Sequence, residues 1–138
     1  REGIPEAARG AVLNANYLLH KLCLNYPAFA GICMHEFVLT LEELKKQTGV
    51  SAMDIAKGAL DCHMHPPTMY FPYVHEALML EPTETESRET LDECAKAMLD
   101  IFKEAHADPE ALHACPVTTP IASGEVKAAR EPVLKYHF

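Results

Sequence analysis

SRETLDECAKAMLDIFKEAHA, residues 87–107, is the stretch on which the fold reading turns. Leu91, Cys94, Met98, Leu99, Phe102 and Ala105 recur at helical spacing and form one apolar stripe. Ser87 has the oxygen that caps a first turn, Glu86 and Glu89 suit the positive end of the helix dipole, and Lys103 suits the last turn. The reading is a long one-sided helix to about Ala107, with Phe102, Leu99 and Met98 in the core. Such a helix needs an apolar layer beneath it.

The flanking sequence supplies that layer. Residues 35–39 and 77–80 are short, apolar and bounded, as strands are. Pro5 to about Leu24 reads as a helix with Val12, Ala15, Leu19 and Leu22 on one side. Asn14 and Asn16 are poor helix formers there, and a cap or a bridge to a neighbouring loop would explain them. Thr40-Leu-Glu-Glu43 has a capping-box pattern for a helix ending near Gly49, and Ser51-Ala-Met-Asp54 starts another that runs to about Leu60. HMHPPTMYFP, residues 63–72, holds three prolines and reads as loop. Asp108-Pro109 opens a further short turn, and Ser123 caps a last helical stretch stopped by Pro132. The expected fold class is α+β: a small two-layer domain with a short, mostly antiparallel sheet covered by helices. One domain is expected over residues 1–138, with residues 1–24 an N-terminal helix and 114–138 a tail carrying a short helix.

The chain has 138 residues, 49% apolar and 23% charged, enough for a core without staples. It opens on Arg1 with no secretory pattern, and reads as a piece of a longer polypeptide. No apolar run reaches the roughly 20 residues of a membrane helix, so no membrane is expected. The net charge is −8, and the eleven acids and three bases between Glu76 and Glu110 account for it. Nucleic acid is an unsuitable partner for that surface, and a solvated helix face is a simpler reading than an acidic docking patch. Five cysteines without a CxxC pattern point to free thiols in a reducing, cytoplasmic setting.

Several residues invite chemistry. Cys62, His63 and His65, with His35 from a strand, could be drawn as a zinc or copper site, but the spacing matches no metal fingerprint. The reading is no metal. Cys62 with His35 or His65 could be drawn as nucleophile and base, yet no nucleophile motif surrounds it. Two segments carry more weight. Residues 65–72 form a proline-stiffened segment presenting His65, Thr68 and Tyr70; a structural turn is the plain alternative. Residues 81–87, EPTETES, join a strand to a helix start. Capping accounts for Glu86 and Ser87, and leaves Glu81, Thr83 and Glu84 as candidates to line a site.

AVLNANYLL (11–19), MHEFVLT (34–40), DIAK (54–57), HPPTMYFP (65–72), EALMLEPTETES (76–87) and EVKAAREPVL (125–134) closely resemble the glycine dehydrogenase (decarboxylating) family, the P-protein of the glycine cleavage system. The likeness runs through nearly the whole chain, to the C-terminal part of the second subunit of the two-subunit bacterial form.

The resemblance implies the small C-terminal domain of a fold type I pyridoxal-phosphate enzyme, packed over an upstream cofactor domain. In that family the cofactor acts as electron sink while glycine loses its carboxylate, and the aminomethyl group passes to the lipoyl arm of the H-protein. It implies as partners the upstream domain, the first P-protein subunit and the lipoylated H-protein. The catalytic lysine is expected upstream of Arg1. So this chain is expected to contain no catalytic residue, to hold no pyridoxal phosphate covalently by itself, and to be inactive alone. His65 and Thr68 are expected to point towards the cofactor cleft. Where the family commonly has an aromatic residue and glycine, this chain has Cys62 and His63, so His63 faces a backbone conformation that glycine takes freely. The remaining alternatives are a stand-alone α+β interaction module using the acidic segment, and a small Cys/His metal-binding protein.

Overall fold

The structure, a computed structural model, describes residues 2–119. The helix expected from Ser123 and most of the tail lie outside them. In chain order the elements are α1 (Gly3–Leu22), β1 (Phe37–Thr40), α2 (Glu42–Thr48), α3 (Ala52–Asp61), β2 (Thr68–Phe71), β3 (Val74–Leu80), α4 (Arg88–Ala107) and α5 (Pro109–His113). The sheet is antiparallel in the order β1-β3-β2. It is a small α+β arrangement, as the patterning implies.

β3 is the central strand and sets the layers. Leu39 and Met69 flank Leu78 on one face, and Leu39 and Leu78 are fully buried beneath the helices. Val38 and Thr68 flank Met79 on the other face, which is only half-covered. Full burial of a leucine such as Leu78 contributes about 2–3 kcal/mol, so the register is firmly selected.

β2 was hidden in the stretch expected to be loop. Pro66 and Pro67 precede it and Pro72 follows it, so its four residues need no proline N–H in the ladder. It lies at the sheet's edge, where flanking prolines are tolerated. The Thr40 capping box does not form. Thr40 ends β1, its hydroxyl donates to the His75 carbonyl (3.2 Å), and Leu41 takes the N-cap position of α2. Glu43 instead accepts from the Gln47 side chain at 2.8 Å. The Ser51–Asp54 box does form, with Ser51 N–H donating to Asp54 at 2.8 Å, and Gly49 closes α2 at φ 82°.

Glu76 ties β3 to two helices. Its carboxylate pairs with Lys45 of α2 and accepts from the Ala52 N–H at the start of α3 (2.8 Å). Its carbonyl accepts from Leu41 N–H at 2.8 Å. Burial raises the tendency of Glu76 to protonate, but the Lys45 and Ala52 hydrogen bonds outweigh it and hold the carboxyl below its usual range. The residue adopts φ 49° to make all three contacts.

α3 ends in a Schellman motif: His63 N–H donates to Leu60 O and Met64 N–H to Ala59 O, both at 3.0 Å. The residue after the cap must be left-handed, and His63 has φ 60°. The strain expected at this position is therefore real and costs about 1 kcal/mol relative to glycine. Met64 packs on the core and keeps the turn closed. On the other side of α3, Asp61 accepts from Val117 N–H (2.9 Å), Thr118 N–H (2.8 Å) and the Thr118 hydroxyl (2.6 Å). Burial pushes its carboxyl up, but these donors more than reverse that and hold it at about 2.

On α4 the buried face is Leu91, Ala95, Met98, Ile101 and Ala105, rotated from the stripe read in the sequence. Met98 is wholly buried, whereas Leu99, Phe102 and Cys94 are half-covered. The reason is α5. It packs on α3 and α4 and covers the Ile101 side, where Gly58 leaves room for Leu112 and Ile101 to approach. Phe102 lies edge-on against Tyr26 (ring centroids 5.1 Å apart, 71°), and Tyr26 is 1% exposed and donates its hydroxyl to Met98 O at 2.7 Å. Phe102→Ala is therefore expected to cost about 1–2 kcal/mol and Met98→Ala about 2–5 kcal/mol. Urea denaturation midpoints of the two variants check this order.

Candidate functional site

The sheet's register gathers three loops. Thr68 pairs with Met79 and Phe37 with Leu80, so both outer strands begin where β3 ends. Residues 34–36, 65–67 and 81–84 thus emerge at one end of the sheet. His65, Thr68, Glu81, Thr83 and Glu84 of the sequence reading belong to this end, and all five are exposed. Tyr70 does not: it lies along β2 towards the hairpin at the opposite end, past a bulge between Met69 and Phe71.

The gathered end also contains His35. Its Nε2 is 3.8 Å from a Glu81 carboxylate oxygen and 3.9 Å from one of Glu36. An open cleft of about 320 Å³ lies beside this pair. Ala7, Ala8, Ala11 and Val12 of α1 form its floor, Met34 and His35 one wall, and residues 81–84 the other. The His65 side chain makes no hydrogen bond or ion pair with the described residues, which leaves both ring nitrogens available.

Two residues of α1 place the 81–84 wall. The Asn14 side-chain amide donates to Thr83 O (2.8 Å) and Glu86 O (3.1 Å), so both its hydrogens are spent on that loop. Gly10 allows the close approach, for a methyl group there would sit 3.0 Å from the Glu84 Cβ. Asn16 does the same for the other wall: its amide donates to Cys33 O (2.7 Å) and its oxygen accepts from Cys33 N–H (3.0 Å). Both asparagines bridge to loops, which is why residues that weaken a helix occupy its middle. Asn14 carried a signal in the sequence, as a misfit; Gly10 and the role of His35 beside Glu81 did not.

Other suggested chemistry is not assembled. Among the described residues no three His, Cys, Asp or Glu side chains converge to hold a metal. Cys62 is exposed, and partial burial, then the carboxylates of Asp61 and Asp100, push its thiol up, away from a reactive thiolate. The acidic segment is partly neutralised by its own bases and by Lys21 of α1. Asp92 is held by Tyr17 (2.6 Å), Lys21 (2.9 Å) and Arg88, and Asp100 by Lys96 and Lys103, both at 2.8 Å.

Five of the described lysines are engaged with carboxylates and do not suit an imine-forming role. Lys21 and Lys96 are raised by the hydrogen bonds to Asp92 and Asp100, and Lys46 by that to Glu42, which keeps them as ammonium ions. Lys45 and Lys103 are also ion-paired; Lys57 on α3 makes no ion pair with the described residues. The five glycines among the described residues, Gly3, Gly10, Gly31, Gly49 and Gly58, are scattered and build no phosphate-binding loop. The described residues therefore do not fit covalent attachment of pyridoxal phosphate.

The described residues thus form a small α+β domain with polar loops gathered at one end of its sheet. Residues 7–116 match the family model described as glycine dehydrogenase, C-terminal domain. The chain is 63% identical over 138 residues to a probable glycine dehydrogenase (decarboxylating) subunit 2 of Treponema denticola, covering 98% of this chain and 29% of the relative. It is 52% identical to the protein of that name from Thermosipho africanus (100% and 29% covered) and 48% identical to that from Thermotoga maritima (99% and 29%). The chain belongs to the glycine dehydrogenase C-terminal domain family, and spans less than a third of the length of these relatives.

Asn14→Asp changes one group, and sets an anion against two carbonyl oxygens. It is expected to cost about 1–3 kcal/mol and to release residues 81–84, seen as faster amide exchange at Glu86, whose N–H donates to Thr83 O at 3.2 Å. Unchanged exchange there would show that Asn14 does not hold the loop.

Proposed function

We propose that this chain is the C-terminal domain of the second subunit of a two-subunit glycine decarboxylase, and that the gathered loops form one wall of its reaction site. The support is the register, which brings His35, His65, Thr68, Glu81, Thr83 and Glu84 to one end of the sheet in a chain whose family is glycine dehydrogenase. In this reading pyridoxal phosphate, held by an upstream domain, supplies the electron sink for loss of carbon dioxide from glycine. The reaction takes place in the cytoplasm. The partners are that upstream domain, the first subunit and the lipoylated H-protein, which receives the aminomethyl group.

The residues of this chain do three things here. His65, without a partner among the described residues and carried on a segment stiffened by Pro66 and Pro67, donates a hydrogen bond to an anionic group of substrate or cofactor, with Thr68 beside it. Glu81 orients His35 at the mouth of the cleft. The loops, fixed to α1 by Asn14 and Asn16, keep water from the reacting carbon when the domain closes.

His65→Ala in the assembled enzyme is expected to lower glycine decarboxylation about tenfold or more, with the unfolding midpoint unchanged, because His65 is exposed. Full activity would remove the role. The 138-residue chain alone is expected to retain no pyridoxal phosphate after desalting. A retained absorption band that vanishes when one lysine is replaced would overturn the assignment of the anchor to the upstream domain.

A further inference from the structure

The apolar stripe of α1 is longer than the core that covers it. Ile4, Ala8, Ala11, Ala15, Leu18 and Leu22 follow each other at alternating steps of four and three, and so share one side of the helix. Ala15, Leu18 and Leu22 are buried in this domain. On the N-terminal half the same stripe is open: Ile4 is 80% exposed, Ala8 is exposed, and Ala11 is half-covered on the cleft floor. The loop held by Asn16 brings Met34, 71% exposed, to the cleft beside α1, and the same loop carries Phe29 and Ile32, exposed at 65% and 82%. Isolated exposed apolar residues need no explanation, but a helical stripe left open beside a cleft, next to a loop with three exposed apolar side chains, marks a surface to be covered.

We infer that the N-terminal half of α1 and the apolar loop residues 29–34 dock against the upstream part of the same subunit. Three observations select this occupant over a second copy or the first subunit. The chain spans 29% of its relatives' length, so most of a subunit of that size lies outside it. The matching family is a C-terminal domain, so that remainder precedes it. The open half of the stripe is the half nearest the junction, so the covering segment is tethered at high local concentration. The inference rests on the proposed reading of the chain as a subunit domain and names the surface through which it is held. Through Asn14, Asn16 and Gly10 the same helix carries the loops, so docking α1 aims the wall.

Hydroxyl-radical labelling of the full-length second subunit tests it. Met98 sets the protected limit and the urea-unfolded subunit the unprotected one. In the second subunit alone, at low concentration, Phe29, Ile32 and Met34 are expected to label roughly tenfold more slowly than when unfolded. Labelling near the unfolded rate would overturn the inference. Protection that arises only at high concentration would assign the surface to a second copy, and protection that arises only with the first subunit would assign it to that chain; either also overturns it. The activity of His65→Ala is independent of this readout, so the two readings fail separately.

Discussion

The register of β3 between its two neighbours is the constraint on which the molecule depends. Leu78 must sit between Leu39 and Met69 to be buried, and side chains on a strand alternate with a period of two. A slip of one residue would bring Met79 inwards and Leu78 out. It would also displace the three chain segments that meet beyond Leu80. One packing requirement thus decides the core and the position of every polar residue at the loop end. Glu76 reinforces the register from the other direction, because its left-handed backbone and paired carboxylate fix where β3 meets α2 and α3.

α1 serves two purposes along one length. Its C-terminal half is a core helix, joined to α4 through Tyr17, Lys21 and Asp92. Its middle is a scaffold, where two asparagines and a glycine sacrifice helix propensity to hold loops. The penalty is about 1 kcal/mol for the glycine and a few tenths for each asparagine. It is offset by four hydrogen bonds to loop backbone. Local rules are broken where a position serves the loops and not the helix.

The sequence made some of this legible. Helical periodicity located α1 and α4, Ser51 and Gly49 marked helix ends, and the misfit of Asn14 and Asn16 pointed to loop contacts. What was hidden depended on partners remote in sequence. β2 lay between prolines and looked like a loop until β3 was there to pair with it. Thr40 matched a helix cap until β3 offered the His75 carbonyl to its hydroxyl. The buried face of α4 turned towards Ile101 because of α5, a five-residue helix whose effect no stripe on α4 could announce. His35 was visible only as a stray histidine, since the side chain beside it is 46 residues further along the chain.

The prolines around β2 have one more consequence. A sheet of three strands has two open sides, and each could recruit a foreign strand. Along β1 the chain covers its own side: Phe29 N–H donates to Val38 O, and Thr40 N–H donates to Pro27 O. On the β2 side the exposed ladder is four residues long and is interrupted by residues without an N–H at both ends. A visiting strand would find too short a template for stable growth. The stiff segment that presents His65 is thus also a guard against fibrous self-association, and a change at Pro67 or Pro72 would weaken that guard as well as the loop.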